Sequence, residues 1–168
     1  MKDYEDILSN GDFTKRKTRV NGKAKGNRYE NSVAKILNET FETTDFCRSP
    51  GSGAFATTHA LPEHIKVYGD LITPQNFRFV IECKNGYKVN LDDVLNRKSK
   101  LWEFIEQAKR DGKKAGKDWM LVYKKDRRKA IAITNVNVPG IDKAKLPGNC
   151  FLYQFDELIK LSKDIFFV

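Results

Sequence analysis

Apolar residues recur at helical spacing between Gly26 and Phe41. The i, i+4, i+7, i+8 spacing predicts an amphipathic helix that packs one face against a core. The apolar positions are Tyr29, Val33, Ile36, Leu37 and Phe41. Glu30 directly follows Tyr29 and therefore lies at the edge of this apolar stripe.

Two strands are predicted in the middle of the chain. Residues 70–73 form one short segment, and apolar and polar positions alternate along 77–84. Because turn-forming residues 74–76 separate the two segments, we expect them to pair as a hairpin. Such a hairpin would bring Asp70, at the start of one strand, next to Glu82, at the end of the other.

The remaining pattern alternates between helical and strand-like segments. These are a strand over 44–48, a helix from Asp92 or Asp93 to about Arg110, strands over 119–124, 129–134 and 150–153, and a helix near 155–163. This order predicts an α/β fold, with a central mixed β-sheet flanked by α-helices. We expect a basic, partly flexible N-terminal arm, residues 1–24, and one folded domain, residues 25–168. The connection 53–69 has no predicted structure, and connections of that length are often functional.

Length and composition narrow the class of protein. The chain has 168 residues, of which 40% are hydrophobic, which suits one domain with a real core. No apolar run is long enough to span a bilayer and no signal peptide is evident, so we expect a soluble cytoplasmic protein without a membrane partner. The three cysteines, Cys47, Cys83 and Cys150, are widely spaced and predicted to be buried thiols. With only two histidines, a Ser-His-Asp hydrolase or a His-rich metal site is disfavoured.

The net charge of +9 is concentrated in two segments. Residues 15–28 contain seven bases and no acid, and residues 97–129 contain thirteen bases and five acids. The region between them, 29–96, has six bases and nine acids. Two basic segments around an acidic centre favour a polyanionic partner held near carboxylates.

Three residues could perform chemistry at the end of the predicted hairpin. Side chains alternate along a strand, so Glu82 and Lys84 share one face while Cys83 points to the other. With Asp70 beside them, two carboxylates and an ammonium would meet. Paired carboxylates attract a divalent cation, and hard oxygen ligands suit Mg²⁺. A metal bound at such a site can promote hydrolysis of a phosphodiester. The spacing D-x(11)-E-x-K is not specific, however, because it also occurs by chance in charged sequences. The alternative interpretation is that these residues form an exposed strand edge.

The order of several motifs resembles that of the archaeal-type Holliday junction resolvases, within the PD-(D/E)XK nuclease superfamily. The motifs are K-G-x-x-x-E at Lys25–Glu30, Arg48, Ser52-Gly53, Gly69-Asp70, I-E-C-K ending at Lys84, and a following helix with Gln107. The resemblance implies a restriction endonuclease-like core and a homodimer. It also implies Mg²⁺ as the cofactor, with Mn²⁺ as a substitute and no small-molecule cofactor. The implied substrate is branched, four-way DNA. Gly69 stands where the superfamily motif has proline, and the 53–69 connection is longer than the family usually has.

The resemblance also assigns roles to individual residues. Glu30, Asp70 and Glu82, with the backbone carbonyl of Cys83, would bind metal, Lys84 would be the catalytic lysine, and Ser52 would lie on a loop approaching the scissile strand. The DNA-binding candidates are Lys15, Arg16, Lys17, Arg19, Lys23, Lys25, Arg28, Arg48 and Lys88. A small nuclease of this kind would suit a virus or mobile element, acting in the host cytoplasm.

Two alternatives remain open from the sequence. One is a PD-(D/E)XK nuclease of restriction, nicking or repair type, acting on ordinary duplex or single-stranded DNA. The other is a non-catalytic nucleic-acid-binding protein, for which Glu30, Asp70, Glu82 and Lys84 would be dispensable.

Overall fold

A computed structural model describes residues 21–50 and 67–168. The predicted arm, apart from its last four residues, and most of the 53–69 connection lie outside this range. Within the described part, no helix is both long and apolar enough to cross a bilayer.

The first helix, α1, spans Gly22–Phe41 and begins four residues earlier than predicted. Asn21 caps it, since its side-chain oxygen accepts the backbone N–H of Ala24 at 3.2 Å. Four of the five predicted apolar positions are buried, but Ile36 is 40% exposed. Lys23 and Ala24, which the sequence placed in the arm, therefore belong to the first turn of α1.

A five-stranded mixed sheet forms the centre of the fold, as the sequence predicts. Its strands are β3 (Phe79–Asn85), β4 (Asp118–Lys124), β5 (Ala130–Thr134), β6 (Ala144–Leu146) and β7 (Cys150–Gln154). Their order across the sheet is β3-β4-β5-β7-β6, with β3 and β4 parallel and the other pairs antiparallel. The catalytic candidates on β3 therefore lie on an edge strand.

The predicted hairpin is wrong in its pairing. The strand after Asp70 is only Leu71–Ile72 (β2), and it pairs antiparallel with Cys47–Arg48 (β1) in a separate two-stranded sheet. The position beside the start of β3 is taken by the C-terminal residues, because the Arg78 N–H donates to the Phe166 carbonyl at 2.7 Å. One backbone hydrogen bond, from Asp70 to Ile81 at 2.8 Å, still joins the two segments.

The helix predicted to run to Arg110 is two helices. Helix α2 spans Leu91–Leu95 and α3 spans Lys100–Ala115. Asn96 is extended, and Ser99 is the N-cap of α3, so the chain turns between them. The N-cap of α2 is Asn90 rather than Asp92 or Asp93, and the side chain of Asp93 accepts the Asn90 N–H at 2.7 Å.

Two apolar cores cover the two faces of the sheet. One contains α1, the odd-numbered positions of β3 and the C-terminal phenylalanines, and the other contains α3. The chain ends with a short helix, α4 (Phe155–Leu158), and a 3₁₀ turn at Lys163–Ile165, where the sequence predicted one longer helix. Cys83 and Cys150 are buried as predicted, but Cys47 is exposed because β1 is a two-residue surface strand.

Candidate active site

The backbone before β2 fixes Asp70 against the edge of β3. Gly69 has φ = +78°, and a β-carbon there would lie 2.5 Å from the carbonyl oxygen of Ile81. Only glycine fits so close an approach in this conformation. The Asp70 carboxylate then accepts the backbone N–H of Cys83 at 2.8 Å. Asp70 is thus held from both its backbone and its side chain.

Glu82 and Lys84 point together toward α3, as the strand alternation predicts. The Lys84 ammonium donates to the Glu82 carboxylate and lies 3.9 Å from the Asp70 carboxylate. Glu82 also accepts the side-chain N–H of Gln107 at 2.7 Å. The ring of Phe104, on the same helix, lies 5.5 Å from the Lys84 nitrogen.

Glu30 reaches the same end of β3 from α1. It is buried, and its carboxylate accepts the Arg48 side chain at 2.8 Å. Arg48 belongs to β1, so the small sheet that positions Asp70 also supplies the cation for Glu30. Four predicted residues, Glu30, Asp70, Glu82 and Lys84, therefore belong to one charged cluster.

Burial and mutual repulsion shift the acid–base behaviour of this cluster. Burial, with the nearby charge of Asp70, raises the pKa of Glu82 to about 8, although Lys84 opposes the shift. Burial and Asp70 also raise the pKa of Glu30, against the opposing effect of Arg48. Burial lowers the pKa of Lys84, but the charges of Glu82 and Asp70 outweigh it and leave a net increase. Glu30 and Glu82 thus bind a proton more tightly than exposed glutamates do.

The donor set fits a hard divalent cation. The charge of Asp70 raises the pKa of both Glu30 and Glu82, and a cation that binds carboxylate oxygens would relieve this repulsion. The Cys83 carbonyl adds an oxygen, since the N–H and C=O of one strand residue face the same edge and its N–H faces Asp70. Across residues 21–50 and 67–168, no three His, Cys, Asp or Glu side chains already form a compact metal cluster. Lys84 and Arg48 hold the carboxylates in this arrangement.

The predicted DNA-binding residues do not share one environment, since some are paired within the protein and others are exposed. Lys25 forms an ion pair with Asp126 at 2.6 Å, and Arg48 is committed to Glu30. The Arg28 side chain donates to the Ala24 carbonyl at 3.2 Å, while Lys23 and Lys88 are exposed. Lys15, Arg16, Lys17, Arg19 and Ser52 lie outside the described residues.

Helix α3 contributes two residues that the candidate set did not include. Gln107, which the sequence placed on the helix after the motif as a supporting residue, fixes Glu82 directly. Asp111 lies one turn later on the same face, and its pKa is raised by burial and also by the charge of Asp70. The i, i+4 spacing of Gln107 and Asp111 is the signal that could have placed Asp111 near the site.

Because of the raised pKa of Glu82, we expect the metal-free protein to lose stability as pH rises. Between about pH 4.5 and 8 the folded protein retains a proton at Glu82 that the unfolded chain releases, so the free energy of unfolding falls across this window. Glu82→Gln removes that proton equilibrium and should gain roughly 2–4 kcal/mol relative to wild type over the same window. Thermal unfolding in EDTA from pH 5 to 8.5 measures the difference.

Glu39→Gln is the matched control, since Glu39 is exposed on α1 and pairs with Lys35 at 3.6 Å. Its melting curve should follow that of wild type at every pH. Parallel pH profiles for Glu82→Gln and wild type would contradict the electrostatic assignment.

Comparison with known proteins assigns the chain to a family. Residues 21–161 match the sequence pattern of the family described as "Phage putative PDDEXK endonuclease". The match covers most of the chain, so the chain belongs to this family. The predicted PD-(D/E)XK class and its α/β fold are thereby confirmed.

One solved structure is also similar, that of Archaeoglobus fulgidus Hjc, a Holliday junction resolvase from an archaeal hyperthermophile. The alignment has 15% identity and a TM-score of 0.36, and it covers 78% of this chain and 89% of that chain. This likeness is too weak to indicate a substrate. No curated protein matches the chain.

Proposed function

We propose that this chain is a divalent-metal-dependent DNA endonuclease that resolves four-way junctions as a homodimer. One observation supports the chemistry most strongly. Glu30, Asp70, Glu82 and Lys84 come from α1, the residue before β2, and β3, yet they form one largely buried, electrostatically linked cluster. The membership in a PDDEXK endonuclease family supports nuclease activity for this chain. The motif order described above supports the choice of a branched substrate.

Each residue of the cluster has a distinct part in the proposed reaction. Glu30, Asp70, Glu82 and the Cys83 carbonyl would hold Mg²⁺, which when bound polarises a phosphodiester and lowers the pKa of water. Lys84 would stabilise negative charge that develops on the phosphate. Gln107 fixes one oxygen of Glu82, and Arg48 fixes one oxygen of Glu30, so both carboxylates are oriented before substrate binds.

The substrate is tested with a labelled synthetic four-way junction beside a linear duplex of the same sequence, in Mg²⁺ and in EDTA. We expect paired, symmetric nicks in the junction and little cutting of the duplex, with no cutting in EDTA. Equal cutting of both DNAs would overturn the junction preference and leave a general nuclease. Tight binding without cutting in any metal would overturn the nuclease proposal.

A further inference from the structure

A strained arginine lies in the turn between β4 and β5. The turn comprises residues 125–129, and the Arg128 N–H donates to the Lys125 carbonyl at 3.1 Å. Arg127, the residue before Arg128, has φ = +61°, in the left-handed region. Hairpin turns of this kind favour glycine at the left-handed position, because a β-carbon there costs free energy. The chain therefore carries a large charged side chain where the backbone favours glycine.

This turn lies at the catalytic end of the sheet. β3 and β4 run parallel, with Lys84 beside Tyr123 and Asn85 beside Lys124. The turn thus begins one strand spacing, about 4.8 Å, from the end of the strand that carries Glu82 and Lys84. The Gly86 N–H donates to the Lys124 carbonyl at 2.9 Å, which ties the two chain segments together just beyond the site.

The neighbouring ion pairs leave the charge of the turn largely uncancelled. Its acid, Asp126, is paired with Lys25 of α1 at 2.6 Å, and Lys129 is paired with Asp156 at 3.5 Å. Arg127 and Arg128 are exposed, and neither has a salt bridge within the described residues. Two guanidinium groups are therefore available to a ligand.

A comparable strained position occurs at the other end of the sheet. Asn149, in the turn between β6 and β7, has φ = +54°. Asparagine tolerates this conformation better than arginine does. Because β7 is parallel to β4, the residue before its start lies at the end opposite the cluster. Between these two turns of the sheet, the less favourable residue is therefore at the catalytic end; the third non-glycine residue with positive φ, Glu42, is the C-cap of α1.

We propose that the β4–β5 turn is a DNA phosphate-binding element, in which Arg127, assisted by Arg128, holds the DNA backbone near the scissile phosphate. This inference rests on the proposed function, which makes DNA the polyanion. Strain retained at a functional position is a common compromise between stability and binding. The contact is with phosphate, so it affects all sequences alike.

The test compares Arg127→Gly, Arg127→Ala and Asn149→Gly, the last being the matched control. Binding of a labelled four-way junction and a duplex is measured by fluorescence anisotropy in EDTA over a range of salt concentrations, alongside thermal unfolding. We expect Arg127→Gly to weaken binding roughly tenfold at low salt. The slope of log K against log salt should become shallower by about 0.9. The melting temperature of the same variant should rise by about 1–4 °C as the backbone strain is relieved.

Arg127→Ala should lose the same affinity without the gain in melting temperature, because alanine keeps the β-carbon. Asn149→Gly should bind DNA as wild type does. Wild-type affinity and salt slope in both Arg127 variants would overturn the inference, even if the enzyme cuts DNA. Absence of cleavage by wild type would instead overturn the proposed function, and weakened DNA binding by the Arg127 variants would still support the inference.

Discussion

Asp70→Asn should reduce the rate of DNA cleavage by a factor of about 10³ or more. It should leave the affinity for DNA unchanged or higher. The side chain loses one negative charge but keeps an oxygen that can accept a hydrogen bond from the Cys83 N–H. In the wild type this hydrogen bond has a length of 2.8 Å. The fold should therefore survive. Removal of charge also relieves repulsion between the site and the phosphate backbone, which is the reason for expecting undiminished binding. Cleavage and binding assays on the same DNA measure the two effects separately.

Asp142→Asn is the control for this variant. Asp142 is exposed on the connection between β5 and β6, toward the far edge of the sheet from β3. It should cut and bind as wild type does. If Asp70→Asn lost binding together with cleavage, Asp70 would have a structural rather than a metal-binding role.

Lys84→Met should abolish cleavage and also destabilise the metal-free protein. Lys84 contacts the carboxylates of Glu82 and Asp70, which are 1% and 7% exposed at their side chains. Above pH 8, where Glu82 is ionised, loss of the ammonium leaves two buried carboxylates without their cation, at a cost of about 3 kcal/mol. For a chain of this size that corresponds to a fall in melting temperature of about 6–12 °C in EDTA. Added Mg²⁺ or Mn²⁺ should recover part of the loss, since a cation at the carboxylates replaces the missing charge.

The matched control is Lys35→Met, which breaks an exposed pair with Glu39 on α1. Exposed pairs contribute about 0–1 kcal/mol, so this variant should melt close to wild type with or without metal. An equal effect of metal on the melting of Lys84→Met and Lys35→Met would indicate that the cation binds elsewhere. Undiminished cleavage by Lys84→Met would remove Lys84 from the catalytic group.

The sequence predicted those parts of the site that depend on local periodicity. Strand alternation placed Glu82 and Lys84 on one face and turned Cys83 into the core, because side-chain direction in a strand is set by position alone. Helical spacing likewise placed Glu30 beside the apolar stripe of α1. These predictions need no knowledge of distant partners.

The features that the sequence missed depend on distant partners or on very short elements. The hairpin prediction failed because the backbone of Phe166 pairs with Arg78, just before β3. The sequence around Arg78 gives no sign of a partner almost ninety residues away. The pairing of Glu30 with Arg48 depends in the same way on how β1 meets α1. The three-residue strand β6 is too short to show alternation.

The metal dependence of cleavage tests the central claim most directly. A single labelled four-way junction is incubated with wild-type protein in EDTA, and then with increasing Mg²⁺ at constant ionic strength. We predict no cleavage in EDTA and cleavage that rises with Mg²⁺ to a plateau, with Asp70→Asn inactive throughout. Cleavage in EDTA, or cleavage by Asp70→Asn equal to that of wild type, would contradict a metal-dependent site built on Glu30, Asp70, Glu82 and Lys84.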